Sequence, residues 1–117
     1  NINAALGCAQ MENLNDFLNK KKKVAKEWEN FFQKEQPKFF KPKPNTTSNN
    51  WLNCIIFDSP KDASNFLKIS NSNGIMTRPA WKLMNELPMY KNCQSENLAN
   101  SQYLQKRLVN IPSSVPD

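Results

Sequence analysis

A chain of 117 residues, 38% hydrophobic with seven Phe and three Trp, has the size of one domain with a modest core, burying roughly two-thirds of its unfolded surface. Sixteen Lys and Arg against ten Asp and Glu give a net charge of +6, which admits an acidic partner without requiring one. The lack of His removes the commonest general base and metal ligand, two glycines exclude a Gly-rich phosphate loop, and no run approaches the roughly 18 apolar residues of a membrane helix. Cys8, Cys54 and Cys93 are odd in number and lack C-x-x-C spacing. They read as reduced thiols, neither a disulfide frame nor a zinc site, which fits a cytoplasmic protein. No secretory signal pattern opens the chain, and its first residue is Asn1, not Met. Processing, or excision from something longer, is expected.

From Cys8 to Gln36 there is no Gly or Pro. Met11, Leu14, Leu18, Ala25, Trp28 and Phe32 recur at helical spacing, with Lys21 the one polar member of the series. One long helix is expected, or two end to end with a break near Asn15 to Asn19, where Asn is a poor helix former. Its Trp28–Phe32 stripe needs a partner surface, most simply this domain's own sheet. Lys20 to Lys23 form the densest basic run, read first as a solvated face. Pro37, Pro42 and Pro44 then end the helix, and Phe39–Phe40 is expected to pair at a sheet edge. Trp51 to Phe57 is the strongest strand, and its near-continuous apolar character predicts burial on both faces.

Ser59-Pro60-Lys61-Asp62 has the form of a helix start, with Ser59 as cap, Pro60 at the first helical position and Asp62 at the capping-box site. Ala63, Phe66 and Leu67 form the buried side, and Asn73–Gly74 ends the helix. A short strand is expected at Ile75–Thr77, a last helix from Ser95 to about Leu108, and a final strand at Val109–Ile111. The fold class is therefore α/β (α+β): a small two-layer sandwich of three to four short strands with packed helices. Residues 1–36 make the long helix or helix pair and residues 37–117 the sheet-bearing part.

Thr77-Arg78-Pro79-Ala80-Trp81 carries the chemistry of interest. Pro79 disfavours a helical conformation at Arg78 and pushes it toward extended backbone. A planar guanidinium fork suits a diphosphate, and a neighbouring Trp81 ring suits a base or sugar. The competing reading pairs Arg78 with a local carboxylate and places Trp81 in the core. Cys54, mid-strand without a histidine or evident base, reads as a small hydrophobe and not as a nucleophile. Asp58 and Asp62 suit a helix start, and Ser113–Ser114 suits a turn.

Taken together, Asn3 to Gln10, Gly74-Ile75-Met76-Thr77-Arg78-Pro79-Ala80-Trp81, Leu87-Pro88-Met89-Tyr90 and Asn110-Ile111-Pro112-Ser113-Ser114 resemble, in order and spacing, the C-terminal part of DegT/StrS-type nucleotide-sugar aminotransferases. The likeness runs from Asn1 to about Val115 and looks closest to enzymes of the legionaminic acid and bacillosamine routes. It implies the small domain of a fold-type I, pyridoxal-phosphate enzyme that moves an amino group from glutamate to a UDP-linked 4-keto-6-deoxy sugar. Residues 1–36 would then be the helix linking large and small domains. It also implies a cytoplasmic homodimer, with an N-terminal cofactor domain as the other partner of these residues.

The resemblance carries Arg78, Trp81 and Asn85 over as substrate-binding residues. Many relatives have His where Asn85 stands, so a proton-transfer role gives way to a neutral hydrogen bond there. None of the lysines matches the family's Schiff-base lysine, and the chain is expected neither to hold the cofactor covalently nor to turn over. No residue is expected to be catalytic, cofactor-binding or metal-binding. Two alternatives stand beside this reading: a small basic module binding nucleic acid through Lys20–Lys23, and a structural dimerisation domain using Trp28 and Phe32.

Overall fold

The computed structural model describes residues 1–34 and 36–115. Glu35, within the expected first helical stretch, and 116–117, at the end of the expected sheet-bearing part, lie outside them. The elements in chain order are α1 (Ile2–Glu12), α2 (Leu14–Phe31), β1 (Lys38–Phe39), β2 (Asn53–Ile56), α3 (Pro60–Ser72) and β3 (Arg78–Pro79). Two single 3₁₀ turns (Met84–Glu86 and Pro88–Tyr90), α4 (Ala99–Gln105) and β4 (Leu108–Ile111) complete the series. The sheet has the order β1-β2-β4-β3, with every neighbouring pair antiparallel. β2 and β3 therefore run parallel on either side of β4, and α3 carries the chain between them.

The N-terminal helical stretch is a pair, but the break falls at Asn13 and not at Asn15–Asn19. Asn13 has φ −100° and ψ 1°, and its side-chain amide donates to the Ala9 carbonyl at 3.0 Å. That local bond competes with the helix ladder, whereas Asn15 and Asn19 stay exposed and leave the ladder intact. α2 then stops at Phe31, well before Pro37.

The core is a cluster of Ile55, Phe57, Ala63, Val109 and Ile111, with Trp28, Phe32, Phe39, Phe66 and Leu67 packed against it. Ile55 and Val109 are wholly buried, each stabilising the fold by about 1.5–3 kcal/mol on transfer from water. Trp28 fixes α2 over the sheet by donating its indole N–H to the Pro112 carbonyl at 2.9 Å. The Trp28–Phe32 stripe thus packs on the chain's own sheet, the simpler of the expectations for it.

Three other expectations are corrected. The Trp51–Phe57 run is not buried on both faces: Asn53, Ile55 and Phe57 face the helices while Cys54 and Ile56 are half-buried and Trp51 is 61% exposed. An antiparallel sheet covered on one side accounts for this alternation. The strand expected at Ile75–Thr77 forms at Arg78–Pro79 instead. The Ile75 amide turns back to the Ser70 carbonyl at 2.9 Å and Thr77 to the Ser70 hydroxyl at 2.6 Å, so those residues wrap the end of α3. The last helix begins at Ala99, whose amide is taken by Asn97 Oδ1 at 2.9 Å; Ser95 caps nothing. The helix start at Ser59 is as expected, with Ser59 Oγ accepting from the Asp62 amide at 3.2 Å and Pro60 in first position. Gly74 follows the end of α3 at φ 77°, a conformation that side-chain-bearing residues adopt only at a cost.

Candidate functional site

The uncovered face of the sheet carries a row of polar side chains set by register. Arg78 on β3 stands opposite Asn110 on β4, which stands opposite Cys54 on β2. Asn110 stitches the row together: its amide donates to the Pro79 carbonyl at 3.1 Å, and its oxygen accepts from the Cys54 thiol at 3.1 Å. Burial pushes the Cys54 thiol up, which keeps it protonated as that donor and unsuited to nucleophilic attack.

Beside this row lies an open concavity of about 390 Å³, with Lys21, Trp51, Arg78, Asn110 and Ser114 among its walls. Arg78 has the extended backbone that Pro79 demands. Its guanidinium touches only neutral acceptors: the Thr77 carbonyl at 3.3 Å and Asn71 Oδ1 at 3.5 Å. Among the described residues, no carboxylate lies within 4.0 Å of it. The Arg78–carboxylate pairing is thus not found among the described residues, and Arg78 is exposed, its five-donor fork largely open to solvent. Trp81 is 73% exposed, so it does not fill core in this chain. Its ring lies 6.2 Å from that of Trp51, at an interplanar angle of 57°. Trp51 thus lines Arg78's concavity and lies against Trp81 at a tilt.

Asn85 is not gathered into this group. It lines a separate concavity of about 440 Å³ beside the 3₁₀ turns, together with Leu83, Tyr90, Cys93 and Leu98, and the two concavities share no residue. Its Oδ1 is buried without a hydrogen-bond partner, a cost that a bound donor would relieve.

Three residues of the open face escaped the sequence reading. Trp51 was absorbed into a strand expected to be buried, and Asn110 into the closing motif. Lys21 did signal itself as the one charged residue in an apolar series. It is half-buried and its ammonium donates to the Ser113 carbonyl at 2.6 Å. Ser113 belongs to the frame: its hydroxyl accepts from the Asn53 backbone N–H at 2.7 Å and donates to the Ile111 carbonyl at 2.8 Å. A further concavity, of about 540 Å³, lies between α2 and the 41–50 loop. Its charges largely satisfy one another, since Lys26 and Lys41 both pair with Glu29, at 2.9 and 2.7 Å.

The basic run is not a uniform solvated face. Lys20 pairs with Asp16 at 2.8 Å and Lys21 is tied to Ser113, leaving Lys22 and Lys23 exposed. Pyridoxal phosphate, implied by the resemblance, calls for an enclosed lysine. Apart from half-buried Lys21, every lysine here is exposed, so this chain's own described residues enclose none of the others. Among the described residues no cluster of Cys, Asp and Glu could hold a metal ion, and no helix is long and apolar enough to cross a membrane.

The described residues thus form a four-stranded antiparallel sheet with helices packed on one face and Arg78, Trp51 and Trp81 exposed. The sequence profile of the DegT/DnrJ/EryC1/StrS aminotransferase family matches residues 1–116, and the chain belongs to that family. Among solved structures, the aminotransferase TlmJ from Streptoalloteichus hindustanus superposes with a TM-score of 0.83 at 14% identity, over 94% of this chain and 30% of that one. Helicobacter pylori PseC, an aminotransferase involved in the biosynthesis of pseudoaminic acid, gives 0.78 at 18% identity, over 92% and 30%. The sugar aminotransferase Spr1654 from Streptococcus pneumoniae, in its PMP form, gives 0.78 at 18%, over 94% and 29%. At these identities the likeness establishes the shared fold. The chain spans about 30% of the length of the structures it matches.

Proposed function

We propose that the protein carrying this chain is a pyridoxal-phosphate aminotransferase that moves an amino group from glutamate to a UDP-linked 4-keto-6-deoxy sugar for bacterial surface-sugar synthesis. The chain is its C-terminal small domain: residues 1–36 link it to a cofactor-bearing N-terminal domain, and 37–117 form the α/β part. The enzyme is a cytoplasmic homodimer of the legionaminic acid and bacillosamine subgroup, and this chain alone is inactive. Arg78 grips the diphosphate, the Trp81 ring packs on the base or sugar, and Asn85 offers a neutral hydrogen bond. The cofactor, held elsewhere in the protein, supplies the electron sink for transamination. This chain's share is orientation and charge.

The observation that carries the reading is the family match over residues 1–116, joined to an Arg78 fork that no carboxylate of the described residues occupies. The test is absorbance of the full-length protein reconstituted with pyridoxal phosphate. Glutamate is expected to convert the bound cofactor to its amine form, and a UDP-4-keto-6-deoxy sugar to convert it back. Failure of the first conversion contradicts the aminotransferase reading; failure of the second alone contradicts the substrate.

The nucleic-acid alternative draws little support once Lys20 and Lys21 have partners within the fold. Counterion release would make such binding weaken steeply with salt. Single-stranded DNA titrated into the protein at low and high salt is expected to show no specific binding.

A further inference from the structure

Arg78 is held from behind by one exposed side chain on the last turn of α3. The Asn71 amide nitrogen donates to the Leu67 carbonyl at 2.8 Å, to the Thr77 hydroxyl at 2.9 Å and to the Thr77 carbonyl at 3.1 Å. Its oxygen faces the Arg78 Nη1 at 3.5 Å. Thr77 is only 1% exposed and shares a 2.6 Å hydrogen bond with buried Ser70. Ile75 and Met76, by contrast, are exposed. The loop after Gly74 is thus pinned by polar groups, and Asn71 is the member that reaches both the pin and the guanidinium. An asparagine weakens a helix at such a position. Here its two ends join the helix to the loop, a task that neither a carboxylate nor an aliphatic side chain performs.

We infer that Asn71 is the positioning residue for Arg78: it orders the Thr77–Arg78 backbone through its amide and aims the guanidinium through its oxygen. This rests on the reading that Arg78 binds the diphosphate of a nucleotide sugar. Because Asn71 approaches the guanidinium with a neutral oxygen, it orients the fork without neutralising it. A carboxylate there would pair with the fork and withdraw it from an anionic ligand.

The test is binding of UDP, dTDP and uridine to the full-length protein by calorimetry, for wild type, Asn71→Ala, Asn71→Asp, Arg78→Ala and the two double variants. Thermal midpoints serve as a folding control. Arg78→Ala is expected to weaken diphosphate binding tenfold or more, a charge-assisted contact being at stake. Asn71→Ala is expected to weaken it about threefold and Asn71→Asp about tenfold, with uridine binding unchanged. In the Arg78→Ala background neither Asn71 change should add to the loss, because the residue acts through Arg78. Asn71 losses that persist without Arg78, or that fall equally on uridine, overturn the inference while leaving the diphosphate reading intact. An Arg78→Ala protein that binds both diphosphates like wild type overturns the reading and the inference together.

Discussion

Pro79 does two things for Arg78: it disfavours the helical backbone at the preceding residue, and its carbonyl accepts from the Asn110 side-chain amide on the neighbouring strand β4. Both effects leave the guanidinium on the open face, and only the first was legible in the sequence. The exposure of Trp51 was not, because tryptophan in a run of apolar residues reads as core until the sheet is seen to be covered on one side only; for Trp81 the sequence left a ligand-facing and a core reading side by side. If the pair forms a shelf for a base, Trp51→Ala should weaken binding of UDP by about 1–3 kcal/mol, the range of base–aromatic stacking. Calorimetry on the full-length protein checks this, and unchanged affinity would remove Trp51 from the site.

At the same scale, Glu29 gives the fold a dependence on acid. Hydrogen bonds from Lys41 and then Lys26 hold its carboxyl down, from an ordinary value of 4.5 to about 2. The folded state therefore releases this proton more readily than the unfolded chain does. The resulting stabilisation is complete above about pH 4.5 and is lost as pH falls toward 2. Urea midpoints should decline across that window, and Glu29→Gln should make the decline shallower while leaving the slope above pH 5 unchanged.

At the scale of elements, turn chemistry written in adjacent residues proved readable. Ser59-Pro60-Lys61-Asp62 starts a helix where its cap and proline say it should, and Gly74 follows that helix in the left-handed conformation. Elements decided by partners distant in sequence were not readable. β3 begins at Arg78 because Thr77 is drawn to Ser70 before any strand can claim it. The last helix waits for Asn97 because Leu98 and Ala99 follow it in helical register, a choice that Ser95 could make equally well on paper. Removing the cap oxygen in Ser59→Ala should cost about 1 kcal/mol. Emptying the centre of the sheet in Ile55→Ala should cost about 2–5 kcal/mol. Chemical denaturation separates the two, and equal losses would contradict the assignment of Ile55 to the core.

For the whole molecule, the helical half is unevenly used. Trp28 and Phe32 pack with the sheet core and Ala25 is buried, while Ile2, Leu6, Met11, Leu14, Phe17 and Leu18 are exposed. Such a run of exposed apolar residues is costly in water for a chain standing alone. It accords with a chain that spans about 30% of the structures it matches, the linking helix of the proposed enzyme lying against the remainder. The family resemblance was legible from four short motifs, yet periodicity alone could not say which apolar residues the 117-residue chain buries for itself.

The central claim is that this chain contributes charge to the nucleotide-sugar side of a transamination. The most direct measurement follows the two half-reactions of the full-length enzyme separately, in wild type and Arg78→Ala. Amine loading from glutamate is expected to proceed at the wild-type rate in both, while reaction with the nucleotide keto-sugar shows an apparent KM raised tenfold or more in the variant. Equal damage to both half-reactions would contradict it.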